Sequence, residues 1–277
     1  MRVESLGPRS LVAIALLIGI ALPVSAKKLE LDSRAVDAGI EIDGNLADWQ
    51  GAMVYVKRES LFLGIANDGE YVYVAVQSRS TETNRSIVIN GMIVWFDPDG
   101  SKERLGIRYP MGLAATGRMN PGERPLGGRE FEEKFKASLG TFQALGPRKG
   151  DSEELLVENR FGVEIASNYT GGDLIYELKV PMRRSESQPH AIGAAPGDAI
   201  RLTLETPDIE VDSLSAPPPG SERDYRGGAN RDPLGGDTMG DDRMGSFPDQ
   251  TTGGGATGGH RFPDQFSIKA KVRLATP

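Results

Sequence analysis

The residues of this sequence best suited to chemistry are acidic side chains on tight turns. Asp97 and Asp99 lie in the run Asp97-Pro98-Asp99-Gly100, and carboxylates on a bent loop are ligands that Ca²⁺ prefers. The run lacks the spacing and the closing Glu of an EF-hand, and Pro and Gly specify a turn there without any ion. A calcium site and a simple turn are therefore both open interpretations. A second acidic group of this kind consists of Asp237, Asp241 and Asp242.

Nothing in the sequence has the pattern of a catalytic site. The chain has two histidines, His190 and His260, and no cysteine, which excludes thiol catalysis and thiolate metal sites. The histidines do not show metal-ligand spacing, and no nucleophile elbow, phosphate-binding loop or dinucleotide fingerprint is present. Paired carboxylates such as Glu132-Glu133 are adjacent in sequence, which is typical of a solvated face. We therefore expect a protein that is not an enzyme.

The amino terminus has the three-part pattern of a cleavable export signal. Two arginines precede an apolar stretch from Leu11 to Leu22, and small residues end the pattern at Ala26. The apolar stretch is well short of the roughly 20 residues that a membrane-spanning helix needs. We predict that residues 1–26 are a signal peptide and that the protein is periplasmic or secreted, with no membrane-spanning segment after cleavage.

The charge and the missing cysteines limit the partners and the sources of stability. A net charge of −7 argues against nucleic acid, because phosphates require clustered Lys and Arg. The absence of cysteine also excludes disulfides. An exported chain of this composition must therefore be stabilised by burial, with bound ions as a further source.

Alternation of apolar and polar residues predicts strands along most of the chain. The clearest segment runs from Phe266 to Leu274, where every second residue is apolar. Residues 174–180 alternate in the same way, and Pro181 then ends the strand. Residues 71–76 and 87–96 are apolar on both faces, which predicts central strands covered on both sides. Further predicted strands are 61–66, 106–109, 155–165 and 200–205.

Turn sequences separate these segments, and helix signals are scarce. Asn67-Asp68-Gly69 has hairpin spacing, and residues 97–100 follow another strand. One short helix is predicted between residues 129 and 139, where Phe131 and Phe135 are four apart amid charges. This pattern predicts an all-β fold, an antiparallel two-sheet β-sandwich of the jelly-roll kind with long loop insertions.

Two segments lie outside the strand pattern. Residues 112–128 are rich in Gly, Pro and Arg and are predicted to form a long loop. Residues 215–262 contain Pro217-Pro218-Pro219-Gly220 and repeated glycine pairs, a composition that buries too little surface to offset the entropy of ordering. Because a strand pattern follows, we predict a flexible insertion at 215–262 within one sandwich domain made of residues 27–214 and 263–277.

Four blocks of sequence stand out in the region of roughly residues 38–210. In chain order they are Ile42-Asp43-Gly44-Asn45-Leu46-Ala47-Asp48-Trp49, Tyr71-Val72-Tyr73-Val74-Ala75-Val76, Ile93-Val94-Trp95-Phe96-Asp97-Pro98-Asp99-Gly100 and Leu174-Ile175-Tyr176-Glu177-Leu178-Lys179-Val180-Pro181. In this order they resemble the carbohydrate-binding module family 9 group of the DOMON-like superfamily. The resemblance implies a jelly-roll-like β-sandwich of exported bacterial proteins, often attached to polysaccharide-degrading enzymes.

The first block also has a physical interpretation of its own. Asp43-Gly44 predicts a tight turn in which the carboxylate accepts backbone N–H bonds and Gly has a positive φ. Trp49 has the area to fill one end of the sandwich as a structural plug, and its indole N–H then needs a partner. We do not expect Trp49 to be a platform for a sugar.

The resemblance implies that aromatic rings in end loops bind the ligand. Relatives that bind sugars hold a terminal sugar between rings, because a ring face stacks on the apolar face of a pyranose while amides and carboxylates bond its hydroxyls. Trp95 lies in a run that is predicted to be buried. The loop aromatics that remain as predicted ligand-binding residues are Tyr109, Tyr169, Tyr225, Phe247 and Phe262.

Three functions follow as expectations. The first is an exported non-catalytic binding module that holds a carbohydrate or a small polar ligand in end loops of the sandwich. The second is a structural or protein-interaction protein of the bacterial cell envelope, in which residues 215–262 contact a partner. The third is a haem-binding DOMON-like domain, because some relatives bind haem through Met and His, and this chain has eight Met and two His.

Overall fold

The protein is a sandwich of two β-sheets in the computed structural model, which describes residues 29–117, 128–148, 150–207 and 265–276. Strands are numbered along the chain. One sheet has seven strands, which are in spatial order β1 (Leu29–Asp32), β13 (Ser267–Arg273), β12 (Ala199–Glu205), β6 (Ile93–Pro98), β7 (Leu105–Arg108), β8 (Thr141–Leu145) and β9 (Ser152–Leu156). The other sheet has six, which are β10 (Glu164–Thr170), β11 (Asp173–Pro181), β5 (Tyr71–Ser78), β4 (Leu61–Asn67) and β2 (Arg34–Ala35), with β3 (Met53–Val56) also paired to β4.

The main core lies between the two sheets. Strand residues that point inward are almost completely buried, among them Leu63, Val74, Phe96, Leu178 and Leu202. Burial of one face of each strand explains the period-two pattern of the sequence. The predicted all-β two-sheet sandwich is confirmed.

The sheets are mixed rather than purely antiparallel. β1 runs parallel to β13, and β2 runs parallel to β4, while the other pairs are antiparallel. Neighbours joined by a hairpin must be antiparallel, but β1 and β13 lie far apart along the chain. Their relative direction is therefore set by tertiary packing, and the prediction of an antiparallel fold was wrong at these two edges.

The carboxy-terminal segment forms a strand of the sandwich, as its alternation predicted. β13 pairs with β12 on one side and with β1 on the other. Ile268, Ala270 and Val272 are buried, whereas Lys269 and Lys271 are exposed. The chain on both sides of residues 208–264 thus belongs to one sheet. The predicted insertion at 215–262 lies outside the described residues.

Residues 87–96 do not form one strand, so this prediction was wrong in its first half. Residues Thr81–Asn90 form helix α1, and only Ile93–Pro98 form a strand. Ser80 caps the helix, because its hydroxyl accepts the N–H of Thr83 at 3.2 Å. A short apolar run such as Ile87 to Ile89 fits a buried helix as well as a strand.

The predicted strand at 155–165 is also divided. β9 ends at Leu156 and β10 begins at Glu164. Between them the amide of Asn159 donates to the carbonyls of Val157 and Val163, at 3.0 and 2.8 Å, and closes the connecting loop. An Asn side chain that bonds to the nearby backbone favours a turn over a continuous strand.

The predicted helix near residues 129–139 is confirmed as α2 (Gly128–Ala137). Phe135 on this helix is completely buried, and Lys134 lies 3.6 Å from Glu130 one turn earlier. Across the described ranges, no helix combines the length and apolar character that a membrane crossing requires.

Candidate functional site

The segment that carries the first sequence block covers the outer face of the six-stranded sheet. Trp49 is 1% exposed and belongs to a second cluster with Ile40, Ala66, Tyr73 and Ala75. These sheet residues point away from the main core. Trp49 is therefore a structural residue, as expected, but the expectation that it fills one end of the sandwich was wrong.

Glu177 fixes this segment to the sheet. Its side chain is fully buried, and its Oε1 accepts the indole N–H of Trp49 at 2.8 Å. Its Oε2 accepts the backbone N–H of Gly44 at 2.8 Å and that of Asn45 at 3.2 Å. Burial raises the pKa of Glu177 above its ordinary value, and the three hydrogen bonds offset part of that rise.

The tight turn predicted at Asp43-Gly44 is confirmed. The carboxylate of Asp43 accepts the N–H of Asn45 at 2.8 Å, and Gly44 has a φ of 80°. The turn directs two backbone N–H groups at Glu177. Because Glu177 is fully buried beneath the covering segment, this arrangement positions the segment and is not open to a ligand.

Trp95 is partly exposed, contrary to the expectation that it is buried. It lies between the buried residues Val94 and Phe96 and so projects from the outer face of its sheet. Its indole N–H donates to Glu205 at 2.8 Å, and the guanidinium of Arg104 lies 3.7 Å from the ring centroid. Because a cation already covers this ring face, the face is not free for a sugar to stack on.

Tyr109 is a core residue rather than an exposed loop aromatic. Its side chain is 2% exposed, and its hydroxyl donates to the carbonyl of Leu139 at 3.3 Å. Its ring lies 6.1 Å from that of the fully buried Tyr176, and burial raises the pKa of Tyr109. The placement expected for Tyr109 is thus corrected. Three further predicted ligand-binding residues, Tyr225, Phe247 and Phe262, lie outside the described residues.

Tyr169 is the predicted ligand-binding ring that the structure places in a cleft. It lies within strand β10 rather than in a loop as predicted, and it is partly exposed. The ring of Phe131 on α2 lies 5.3 Å away at an interplanar angle of 68°, and that of Phe135 lies 6.2 Å away at 75°. Tyr169 and Phe131 therefore form a corner with two differently oriented apolar surfaces.

The cleft beside this corner has a volume of about 240 Å³. It lies at the end of the sandwich where β5 leads into α1 and where β10 turns back into β11. Three elements thus supply its walls. The lining residues are Thr81, Arg85 and Ile89 of α1, Gly128 and Phe131 of α2, and Tyr169 of β10.

Hydrogen bonds hold α1 against both sheets. The amide of Asn84 donates to the carbonyl of Gly172 in the β10–β11 turn at 2.7 Å, and the hydroxyl of Thr83 donates to that of Glu59 at 3.1 Å. At the other end of the helix, the backbone N–H of Leu113 donates to the carbonyl of Val88 at 3.0 Å. The wall that carries Arg85 is therefore fixed relative to Tyr169.

The two acidic residues predicted to bind calcium both face cations. Asp97 lies 3.1 Å from Arg104, and Asp99 lies 3.4 Å from Lys271. Within the described ranges, no three acidic or histidine side chains meet as a metal site requires. The residues at this turn therefore do not fit a calcium ion well, and calcium binding elsewhere stays a prediction, because Asp237, Asp241 and Asp242 lie outside the described residues.

His190 lies in a second cleft, of about 280 Å³, at the opposite end of the sandwich. Its Nε2 is 3.4 Å from the carboxylate of Glu153, and burial lowers the pKa of His190. Arg104 and Arg184 also line this cleft. His260 lies outside the described residues, so a haem ligand pair stays an untested prediction.

Sequence reasoning missed most of the walls of the cleft beside Tyr169. Thr81, Arg85 and Ile89 lie on a helix whose second half was interpreted as a strand. The available signal was Ser80, a residue type that favours helix N-caps, followed by buried positions at 84, 87 and 88 with helical spacing. Phe131 was recognised as a helix residue but not as part of a site.

Comparison with known proteins gives only loose likenesses. No protein-family model matches the chain, and no curated protein matches it. Among solved structures, a protein from Bacteroides uniformis ATCC 8492 provisionally described as carbohydrate-binding has 13% identity and a TM-score of 0.33, over 65% of this chain and 84% of that one. A family 9 carbohydrate-binding module from Caldicellulosiruptor kristjanssonii in complex with glucose has 6% identity and a TM-score of 0.34, over 67% and 81%.

The same family 9 description applies to a Caldicellulosiruptor kristjanssonii structure with cellotriose, at 8% identity and a TM-score of 0.32 over 68% of this chain and 80% of that one. At such low identities and TM-scores, these likenesses assign neither a family nor a ligand to this protein. Any function must therefore be argued from the residues of the cleft.

Proposed function

We propose that this protein is an exported, non-catalytic binding module that holds a carbohydrate or a small polar ligand in the cleft formed by α1, α2 and β10. The single observation that carries the proposal is the corner made by the rings of Tyr169 and Phe131, 5.3 Å apart, with Thr81 and Arg85 beside it. The sequence resemblance described above supports the same class of ligand.

The chemistry of the cleft suits a molecule with one apolar and one polar side. A pyranose has such a character, since its C–H face stacks on a ring and its hydroxyls need donors and acceptors. Thr81 and Arg85 supply polar groups next to the rings, and the hydroxyl of Tyr169 has no hydrogen-bond partner among the residues that the structure describes. The lining therefore offers both kinds of contact within one small volume.

The size of the cleft limits what it holds. Drug-sized ligands occupy pockets of roughly 300–1,000 Å³, and this cleft measures about 240 Å³. We therefore expect it to accept one sugar unit, such as the end of a chain, rather than to run along a polysaccharide.

The walls are organised before any ligand arrives. Phe135 anchors α2 in the core, and the bond from Asn84 to Gly172 ties α1 to the β10–β11 turn. A site that is already ordered loses less conformational entropy when it binds. This favours a binding function that needs no large closure.

A saccharide panel tests the proposal. Isothermal titration of the protein from Lys27 to its carboxy terminus, together with a glycan array, should find at least one saccharide that binds. Tyr169→Ala should weaken that binding about tenfold or more, since ring stacking contributes on the order of 1–3 kcal/mol in comparable sites. Tyr55→Ala is a matched control, because Tyr55 is 51% exposed and does not line the cleft.

Two results would contradict the proposal. One is the absence of binding to every saccharide tested, with and without Ca²⁺. The other is a bound saccharide whose affinity Tyr169→Ala leaves unchanged, since the site would then lie elsewhere. Export is tested separately, by finding whether the periplasmic or secreted protein begins at Lys27, as cleavage after Ala26 predicts.

A further inference from the structure

Arg85 combines two properties that set it apart within the cleft. It is partly buried among the lining residues, and it forms no ion pair with any residue that the structure describes. Other arginines of the same chain do have carboxylate partners. Those pairs are Arg58 with Glu59, Arg79 with Asp173, Arg104 with Asp97 and Arg184 with Glu103.

Among the described residues that line the cleft, none is acidic and could balance this charge. Glu82 and Glu130 are close in sequence to the lining residues, but neither lines the cleft, and Glu130 lies 3.6 Å from Lys134. The cleft is therefore locally positive on a chain whose net charge is −7. Such a local reversal of charge attracts anions to this one place.

Arg85 lies at the middle of the wall that α1 supplies, between Thr81 in the first turn and Ile89 near the last residue. A carboxylate paired with Arg85 would therefore lie beyond the first turn, where a helix N-terminus favours anions. The guanidinium of Arg85 is the charge that this wall offers.

From these observations we infer that the cleft selects acidic sugars, meaning pyranoses that carry a carboxylate such as a uronic acid, and that Arg85 binds the carboxylate. The inference rests on the proposed binding function and specifies its ligand class. A planar guanidinium matches a carboxylate with two parallel hydrogen bonds. Tyr169 stacks on the sugar ring while Arg85 pairs with the acid, so the ligand needs both parts.

Matched pairs of sugars test the charge preference. D-glucuronate is compared with D-glucose, and D-galacturonate with D-galactose, by titration into the full-length protein at low salt. At least one acidic sugar should bind about tenfold or more tightly than its neutral partner. A hydrogen bond to a charged group contributes enough binding free energy for a difference of this size. Added salt should weaken the binding of the acidic sugar and leave the binding of the neutral sugar unchanged.

Substitutions assign the preference to a residue. Arg85→Gln should remove the preference for the acid and leave the weak binding of the neutral sugar, and Arg85→Lys should restore part of it. Arg183→Gln is the matched control, because Arg183 is exposed beyond the end of β11 and lines none of the described clefts. Thermal unfolding should show that all three variants remain folded.

The outcomes separate this inference from the proposed function. Equal or tighter binding of neutral sugars would overturn the preference for acids while leaving the binding module intact. Preference for the acid that persists in Arg85→Gln would overturn the role of Arg85. Binding of acetate or phosphate as tight as that of the uronates would show a simple anion site, and no binding of any saccharide would overturn both ideas.

Discussion

The indole N–H of Trp49 donates a hydrogen bond of 2.8 Å to the buried carboxylate of Glu177. This bond joins two sequence blocks that are 128 residues apart. Glu177 lies on β11, so the covering segment is attached to the strand that leads out of the β10–β11 turn. The same turn holds α1 through Asn84 and Gly172, and the cleft therefore rests on a well-anchored scaffold.

Removal of the Glu177 carboxylate should destabilise the fold. Glu177→Ala leaves the indole N–H of Trp49 and the N–H groups of Gly44 and Asn45 without their acceptor in a buried place, and each costs about 1–3 kcal/mol. We expect a loss of about 3 kcal/mol or more in the free energy of unfolding, measured with urea. The exposed control Glu186→Ala should change it by less than about 0.5 kcal/mol, and an equally small effect of Glu177→Ala would contradict the assigned role.

The stability should also depend on pH through Glu177. Because burial raises the pKa of Glu177 above the ordinary 4.5, protonation favours the folded state over the unfolded chain. The stabilising contribution is fully present below pH 4.5 and is lost as the pH rises through the higher folded-state pKa. The wild type should therefore lose unfolding free energy relative to Glu177→Gln as the pH rises above 4.5.

The opposite pH dependence would contradict a raised pKa of Glu177. A wild type that gains unfolding free energy relative to Glu177→Gln as the pH rises would mean that the three hydrogen bonds outweigh burial and lower the pKa of Glu177. Comparison with Glu177→Gln cancels the titration of the other carboxylates, because both proteins share them.

Gly64 should tolerate no side chain, because the ring of Trp49 lies directly on it. A Cβ at this position would be 2.6 Å from the indole ring, so Gly64→Ala must displace Trp49. We expect a loss of about 1–3 kcal/mol in the free energy of unfolding. Gly69→Ala is the matched control, since a Cβ there meets no atom within 4 Å, and equal unfolding curves for the two variants would contradict the packing.

The cap of α1 should affect both stability and binding. Ser80→Ala removes the acceptor for the N–H of Thr83 and should cost about 1 kcal/mol in unfolding free energy. Because Thr81 begins the helix that lines the cleft, saccharide affinity should fall as well. Ser80→Thr keeps a capping hydroxyl and should restore both properties; a full loss of affinity in Ser80→Thr would show that the cap is not the cause.

Strand positions were predictable because burial of one sheet face imposes a period of two on the sequence. β5, β11, β12 and β13 appear close to their predicted positions for this reason. Helix α1 was missed in part because Ile87, Val88 and Ile89 are all buried, and such a run favours a strand and a helix alike. Local pattern also says nothing about the direction of β1 beside β13, which lie at opposite ends of the chain.

Of the residues that line the candidate site, the sequence predicted a ligand-binding role for Tyr169 alone. The chemistry of the site depends on Arg85 and Phe131, which are brought to it by two different helices. Exposure of Trp95 likewise depends on the sheet face that it occupies, and burial of Tyr109 depends on how the chain packs beyond the end of β7. Relations of this kind follow from tertiary packing and leave no local signal in the sequence.

The most direct test of the account is to map where a sugar binds. In an NMR titration of the ¹⁵N-labelled protein with D-glucuronate and D-glucose, the account predicts that shifts concentrate on Thr81, Arg85, Gly128 and Tyr169. Shifts that concentrate instead on the opposite cleft around His190, or no shifts with either sugar, would contradict the claim that the corner of Tyr169 and Phe131 is the binding site.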